Sequence, residues 1–224
     1  NVNTSRIIIR IDNLAPRISF GAGNENEVNY QNVSRNWIYV NVSFAETNIS
    51  VLTFYLYNDT GTVNSTFTYT NASFYLNWTE LSVNWTGLAD NNYSYEVNIT
   101  DAANNKNSTG KRKILLDTTN PTITSFSCTP DSVVAGDTIT CTCIGADATS
   151  GVNLTTYVDS KNPSTIYTTT PHNPSTTDTG TYTTTCTVKD RLGHPISSSK
   201  SYTIEIRGSG GGGGGGTSIS FYTT

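Results

Sequence analysis

The sequence predicts an all-β chain of two tandem β-sandwich domains with detached terminal strands, and three observations lead there. Ile, Val and Thr fill 70 of the 224 positions, while Ala, Leu, Glu, Lys, Gln, Met and Arg together fill 40, so long helices lack their building material. Apolar residues recur at every second position in short stretches separated by Asn, Gly, Asp and Pro clusters, the signature of half-buried strands. One segment recurs: RIIIRIDNLAPRI at residues 6–18 matches KRKILLDTTNPTI at 111–123, an offset of 105.

Taken in order, residues 1–11 hold a strand that precedes any domain able to own it, with Ile7, Ile8, Ile9 and Ile11 as its apolar residues. Asn1 reads as a processed end, since the chain contains no Met. The first domain spans 12–116. Its inward faces are Ile38, Val40, Val42 and Phe44; Leu52, Phe54 and Leu56; Val83 and Trp85; and Tyr93, Tyr95, Val97 and Ile99. With no cysteine, it is expected to be held by an aromatic core that includes Trp37, Trp78 and Trp85.

The second domain spans 117–207. Ile139, Cys141 and Cys143 form one inward face, Tyr182, Thr184, Cys186 and Val188 another, and Tyr202, Ile204 and Ile206 the last strand. At an offset of 89, Tyr93, Val97, Asp101, Asn104 and Asn105 fall on Tyr182, Cys186, Asp190, Gly193 and His194. A glycine linker at 208–216 follows, with a reach of about 15 to 18 Å, and then a strand at 217–224 with Ile219 and Phe221 in phase.

The run DNNYSYEVNITDAANN from Asp90 to Asn105, followed by KILLDTTNP, resembles the end of bacterial and archaeal surface immunoglobulin-like repeats. There a Tyr-rich strand precedes an Asp-x-x-Gly-Asn turn and a last strand runs into Asp-x-x-x-Pro. Asn104 stands here in place of the Gly, and Asn tolerates the left-handed backbone of such a turn. The second domain keeps Gly193 and carries His194 in place of the Asn; its Asp178-x-Gly180-x-Tyr182 resembles immunoglobulin domains, with Cys186 four residues after the Tyr rather than two. The resemblance implies immunoglobulin-like sandwiches, a fold that carries many functions.

Cys128, Cys141, Cys143 and Cys186 all fall in the second domain, an even count that reads as a disulfide framework in an oxidising, extracellular setting. Cys141 and Cys143 share one strand face and cannot readily join each other. The expected bonds are Cys143 with Cys186 and Cys128 with Cys141, the exchanged pairing staying open. Zinc is disfavoured because Cys-x-Cys stands without a second close pair.

Residues 1–116 carry twelve Asn-x-Ser/Thr sequons, where their composition yields about four by chance. These are Asn3, Asn32, Asn41, Asn48, Asn58, Asn64, Asn71, Asn77, Asn84, Asn92, Asn98 and Asn107; the second domain adds Asn153. Asn41, Asn77, Asn84 and Asn98 each sit between two inward apolar residues and so point outward, where a covalent N-glycan fits. The threonines at 168–170 and 183–185 are candidates for O-glycans.

A net charge of −4 with 13 Lys plus Arg argues against capture of nucleic acid or an anionic membrane, and no apolar run approaches a membrane span. No catalytic motif occurs; His172 and His194 lie in turn-like segments near prolines, and no cofactor is implied. Asp90, Asp101 and Asp117 are calcium candidates, with turn roles favoured because no Asp-x-Asp-x-Asp-Gly loop occurs. The expected function is a structural subunit of an extracellular glycosylated filament, in which a terminal strand completes a sheet of an identical neighbour. This arrangement resembles archaeal thread-like and pilus-like filaments. The alternative is an immunoglobulin-like fragment of a cell-surface or S-layer-type adhesin or stalk protein.

Overall fold

The computed structural model describes residues 11–21, 28–70 and 79–208. Ile7, Ile8, Ile9, Ile219 and Phe221 of the expected terminal strands, the sequons at Asn3, Asn71 and Asn77, and Trp78 lie outside the described residues. Within them the chain forms strands and no helix. It divides into two compact units: the chain up to Pro121 with Asp147–Asn153 and Lys189–His194, and Thr122–Ala146 with Leu154–Val188 and the chain from Pro195.

In the first unit, β1 (Arg17–Phe20), β3 (Ile38–Ala45) and β6 (Glu80–Trp85) form one antiparallel sheet in the order β1-β3-β6. The opposing sheet runs β2 (Gln31–Val33), β9 (Arg112–Leu116), β7 (Asn91–Asp101), β4 (Ile49–Tyr57) and β5 (Val63–Thr70), with β8 (Lys106–Ser108) also on β7. Only β2 and β9 pair in parallel among these strands. The division of strands between two facing sheets is that of an immunoglobulin-like sandwich. Ile38, Val40, Val42, Leu52, Phe54, Leu56, Val97 and Ile99 have no exposed surface, so the alternating residues of both sheets meet in one core.

Trp85 joins that core at 4% exposure, but Trp37 does not: its half-buried ring lies under the Arg35 guanidinium, 3.8 Å from the ring centroid. Trp37 precedes Ile38, and a residue next to an inward one on a strand faces outward. The interior is mostly aliphatic with Phe and Tyr, and an arginine covers Trp37 instead.

In the second unit β10 (Thr122–Thr129) pairs with β12 (Thr140–Ala146). Facing them is the sheet β11 (Ser132–Val134), β15 (Pro195–Glu205), β14 (Gly180–Asp190) and β13 (Val152–Asp159). Gly145 is required where the sheets approach, because a Cβ there would stand 2.5 Å from Val188 Cγ1. Disulfides join Cys128 to Cys141 between neighbouring strands and Cys143 to Cys186 across the core. Ile206 does not join the inward face that the alternation predicts: β15 ends at Glu205 and Ile206 is 79% exposed, so only Tyr202 and Ile204 reach the interior.

Each unit carries a tyrosine corner, a hydroxyl at the start of a central strand bonded back to the backbone just upstream. Tyr93 donates to the Ala89 carbonyl at 3.0 Å and Tyr182 to the Thr179 carbonyl at 3.3 Å.

Candidate functional site

The two copies of the repeated aspartate turn have the same geometry. Asp101 accepts the Asn105 N–H at 2.8 Å and the Asn105 side-chain amide at 2.8 Å; Asp190 accepts the His194 N–H at 2.9 Å and lies 2.6 Å from His194 Nδ1. Asn104 and Gly193 take the left-handed backbone at φ 68° and 89°. Both aspartates are buried. Burial opposes their charge, but hydrogen bonds from Asn105 to Asp101 and from His194 and Leu192 to Asp190 outweigh it and hold both carboxyls below the ordinary carboxylate range.

A depressed folded-state pKa contributes stability that is present above the unfolded value and lost as pH falls through the folded one. The urea midpoint is therefore expected to stay level from neutrality to about pH 5 and to fall below about pH 4. Asp190→Asn flattens that acid limb; an unchanged limb would remove this turn from the account.

Asp117, Asp190 and His194, all in the first unit, bring ligand-type atoms within 4.8 Å of one another. Their oxygens already serve as acceptors: Asp117 takes the Thr119 N–H and hydroxyl and the Ser150 N–H, and Asp190 takes the bonds described above. Asp90 likewise accepts from Thr118 and Thr119. These aspartates serve as turn and loop anchors in this geometry.

Buried in the second unit is a polar network the sequence did not signal as a unit. Asp159 Oδ2 lies 2.8 Å from His172 Nε2, and Asp159 Oδ1 accepts the Thr184 hydroxyl at 2.6 Å. His172 stacks on Tyr157 with ring centroids 5.2 Å apart, and its backbone pairs with that of Cys141. A nucleophile, a base and an acid are present, but in the wrong order, since the hydroxyl is bonded to the carboxylate and not to the imidazole. With exposures of 0–3%, the three offer no face to a substrate. The network is structural.

The described sequon asparagines all lie at exposed or half-buried positions. Asn32, Asn48, Asn64, Asn84, Asn92, Asn107 and Asn153 are exposed, and Asn41, Asn58 and Asn98 half-buried. On the outer face of the larger first-unit sheet, Asn98 lies opposite Thr53 of β4 and Ser108 of β8, with Tyr55 opposite Glu96 one step along. A shallow groove of about 530 Å³ runs over this face, lined by Val51, Thr53, Tyr55, Asn98 and Lys106 among others. Tyr55 stacks on Tyr57, which donates to Glu96 at 2.6 Å and lies under Lys111 Nζ at 3.8 Å. Burial and then Glu96 push the Tyr57 hydroxyl up to about 12, which keeps that donor in place.

Of the expected assembly residues only Ile11 is described. It lies in no strand and is 87% exposed; Leu14, in the same extended segment, is 75% exposed. The segment reaches the body through the Asn105 and Asn107 amides, which donate to the Asp12 and Pro16 carbonyls.

No family model matches the chain. No curated protein matches it either. Among solved structures it is similar to an ICAM-5 D1–D4 ectodomain fragment, at 13% identity and a TM-score of 0.46 over 85% of this chain and 54% of that one. It thus spans about half the length of that fragment. It is similar also to an amphioxus IgVJ-C2 molecule, at 14% identity, TM-score 0.44, and 77% and 99% coverage. A third likeness is to a 1.5-MDa bacterial ice-binding adhesin, at 17% identity, TM-score 0.38, and 88% and 67% coverage. The immunoglobulin-like assignment rests on the strand pairings themselves.

Proposed function

We propose that this chain is the structural subunit of an extracellular, N-glycosylated filament, joined head to tail when an extended apolar terminal strand completes a sheet of an identical neighbour. The observation that carries the reading is Ile11, the last member of the alternation Ile7-x-Ile9-x-Ile11, which projects into solvent instead of packing on its own sandwich. An exposed apolar residue at the foot of an alternating stretch suits the recruitment of a partner strand. A contact from one end of a subunit to a different surface of the next does not close on itself, and it propagates as a fibre.

Two further features support the setting. Two disulfides suit an oxidising compartment, and the outward sequons of the first unit would coat its faces with sugar. Calcium is no part of this reading.

Removing residues 1–11 is expected to leave a folded monomer, with unchanged far-ultraviolet circular dichroism, that no longer polymerises. If the shortened chain still forms fibres, the N-terminal strand is not the donor and the strand with Ile219 and Phe221 takes its place. A second reading, an immunoglobulin-like segment of a surface adhesin or stalk, is favoured by one observation: residues 117–207 carry the single sequon Asn153, which leaves most of their loops without an N-glycan acceptor. Negative-stain microscopy of native material separates the two as regular fibres or isolated particles.

A further inference from the structure

The sequon asparagines are not equivalent. Asn64 stands exposed on β5, whereas Asn98 sits half-buried at the centre of a sheet face, within the lining of the 530 Å³ groove. That volume falls inside the roughly 300–1,000 Å³ of small-ligand sites. The walls are of two kinds. Val51 and Tyr55 supply apolar and aromatic surface, and Thr53, Thr100, Lys106 and Ser108 supply hydroxyls and an ammonium, the mixture that fits a polyol with one apolar face.

Two details make the groove a built one. The Tyr55 ring is held by its stack on Tyr57, itself fixed by Glu96 and Lys111, so the platform exists before anything lies on it. Among the described residues the Asn98 side-chain amide has no hydrogen-bond partner, unlike Asn107, whose amide donates to the Pro16 carbonyl at 2.9 Å. The one free amide in the groove is thus the acceptor of a sequon, with its Thr100 hydroxyl on the same face.

We propose that the groove over β4, β7 and β8 is the seat of the N-glycan on Asn98, whose first sugars pack on Tyr55 and Val51. This rests on the reading of the chain as a glycoprotein. The bond forms between Asn98 Nδ2 and the anomeric carbon of a lipid-linked glycosyl phosphate donor. The carbon–oxygen bond to phosphate breaks, the phosphate leaves with the electron pair, and Nδ2 gives up one proton. Because the sugar is tethered inside the lining, its effective concentration there is in the millimolar range of short linkers, and it holds the groove against free ligands. The half-buried Tyr55 and Val51 on this outer sheet face are thereby covered without a second protein.

The test uses the full chain from a source that glycosylates it, and reads the protein rather than the sugar. Glycopeptide mass spectrometry gives the occupancy of each sequon, and tetranitromethane nitration of Tyr55 is timed in the folded protein, in Asn98→Gln and in Thr100→Ala, both of which abolish the sequon. Tyr55 is expected to nitrate about tenfold more slowly in the parent than in either variant, a protection worth about 1.4 kcal/mol. Equal rates with Asn98 occupied overturn the seat and leave the glycoprotein reading intact. A bare Asn98 beside occupied neighbours does the same, and thirteen bare sequons overturn both.

Discussion

Replacing Cys143 and Cys186 by alanine lowers the stability of the second unit by about 4 kcal/mol, because the bond closes a loop of sequence separation 43 and its loss restores that freedom to the unfolded chain. The Cys128–Cys141 bond, with a separation of 13, contributes about 3 kcal/mol by the same argument. The first unit contains no cysteine and keeps its melting temperature, since its core of Ile38, Val40, Leu52, Phe54, Val97 and Ile99 is independent of either bond. Calorimetry in reducing buffer is the measurement. With both bonds reduced, one unit is expected to melt lower by about 30 °C or more while the other stays in place. A reduced protein that melts like the oxidised one would show that the bonds constrain nothing.

Asp159→Ala is the second large effect, at about 2–6 kcal/mol in chemical denaturation, the cost of leaving two buried donors unsatisfied at about 1–3 kcal/mol each. It leaves the His172 imidazole and the Thr184 hydroxyl buried without their acceptor. The damage extends further, because His172 pins its loop to Cys141 by two backbone hydrogen bonds of 2.7 and 2.9 Å and lies against Tyr157 and Tyr167. Asp159→Asn keeps an oxygen for Thr184 and is expected to cost about 1–2 kcal/mol. A loss below about 1 kcal/mol in Asp159→Ala would mean that water replaces the carboxylate, and the network would then hold nothing.

That network shows what kind of information a single sequence withholds. Its partners lie 13 and 25 residues apart and come from β13, a loop and β14, so no local period joins them. A signal existed: Thr184 shares the inward phase of Cys186 and Val188, and Asp159 stands two residues after the inward Tyr157. A polar residue at an inward position needs a partner, but the alternation does not say which one. The aspartate turns were easier to read, because Asp101 with Asn105 and Asp190 with His194 make their bonds within four residues, and the sequence repeats them. Trp37 and Ile206 went the other way. Both are apolar, yet each falls just outside a strand or its inward phase, where composition alone predicts burial and the pairing does not supply it.

By itself the sequence determined the all-β class, the two-fold repetition, the inward faces of β3, β4, β6 and β7, and the outward phase of Asn41, Asn84 and Asn98, since each of these follows from a period of two and from steric rules acting over a few residues. Only the tertiary structure decided which strands face each other, that Asp159, His172 and Thr184 meet, and that Asn98 lies in a groove beside a stacked tyrosine pair. Those facts depend on contacts between residues far apart in the chain, and their energies are set by what neighbouring strands bury together rather than by any residue's own preference.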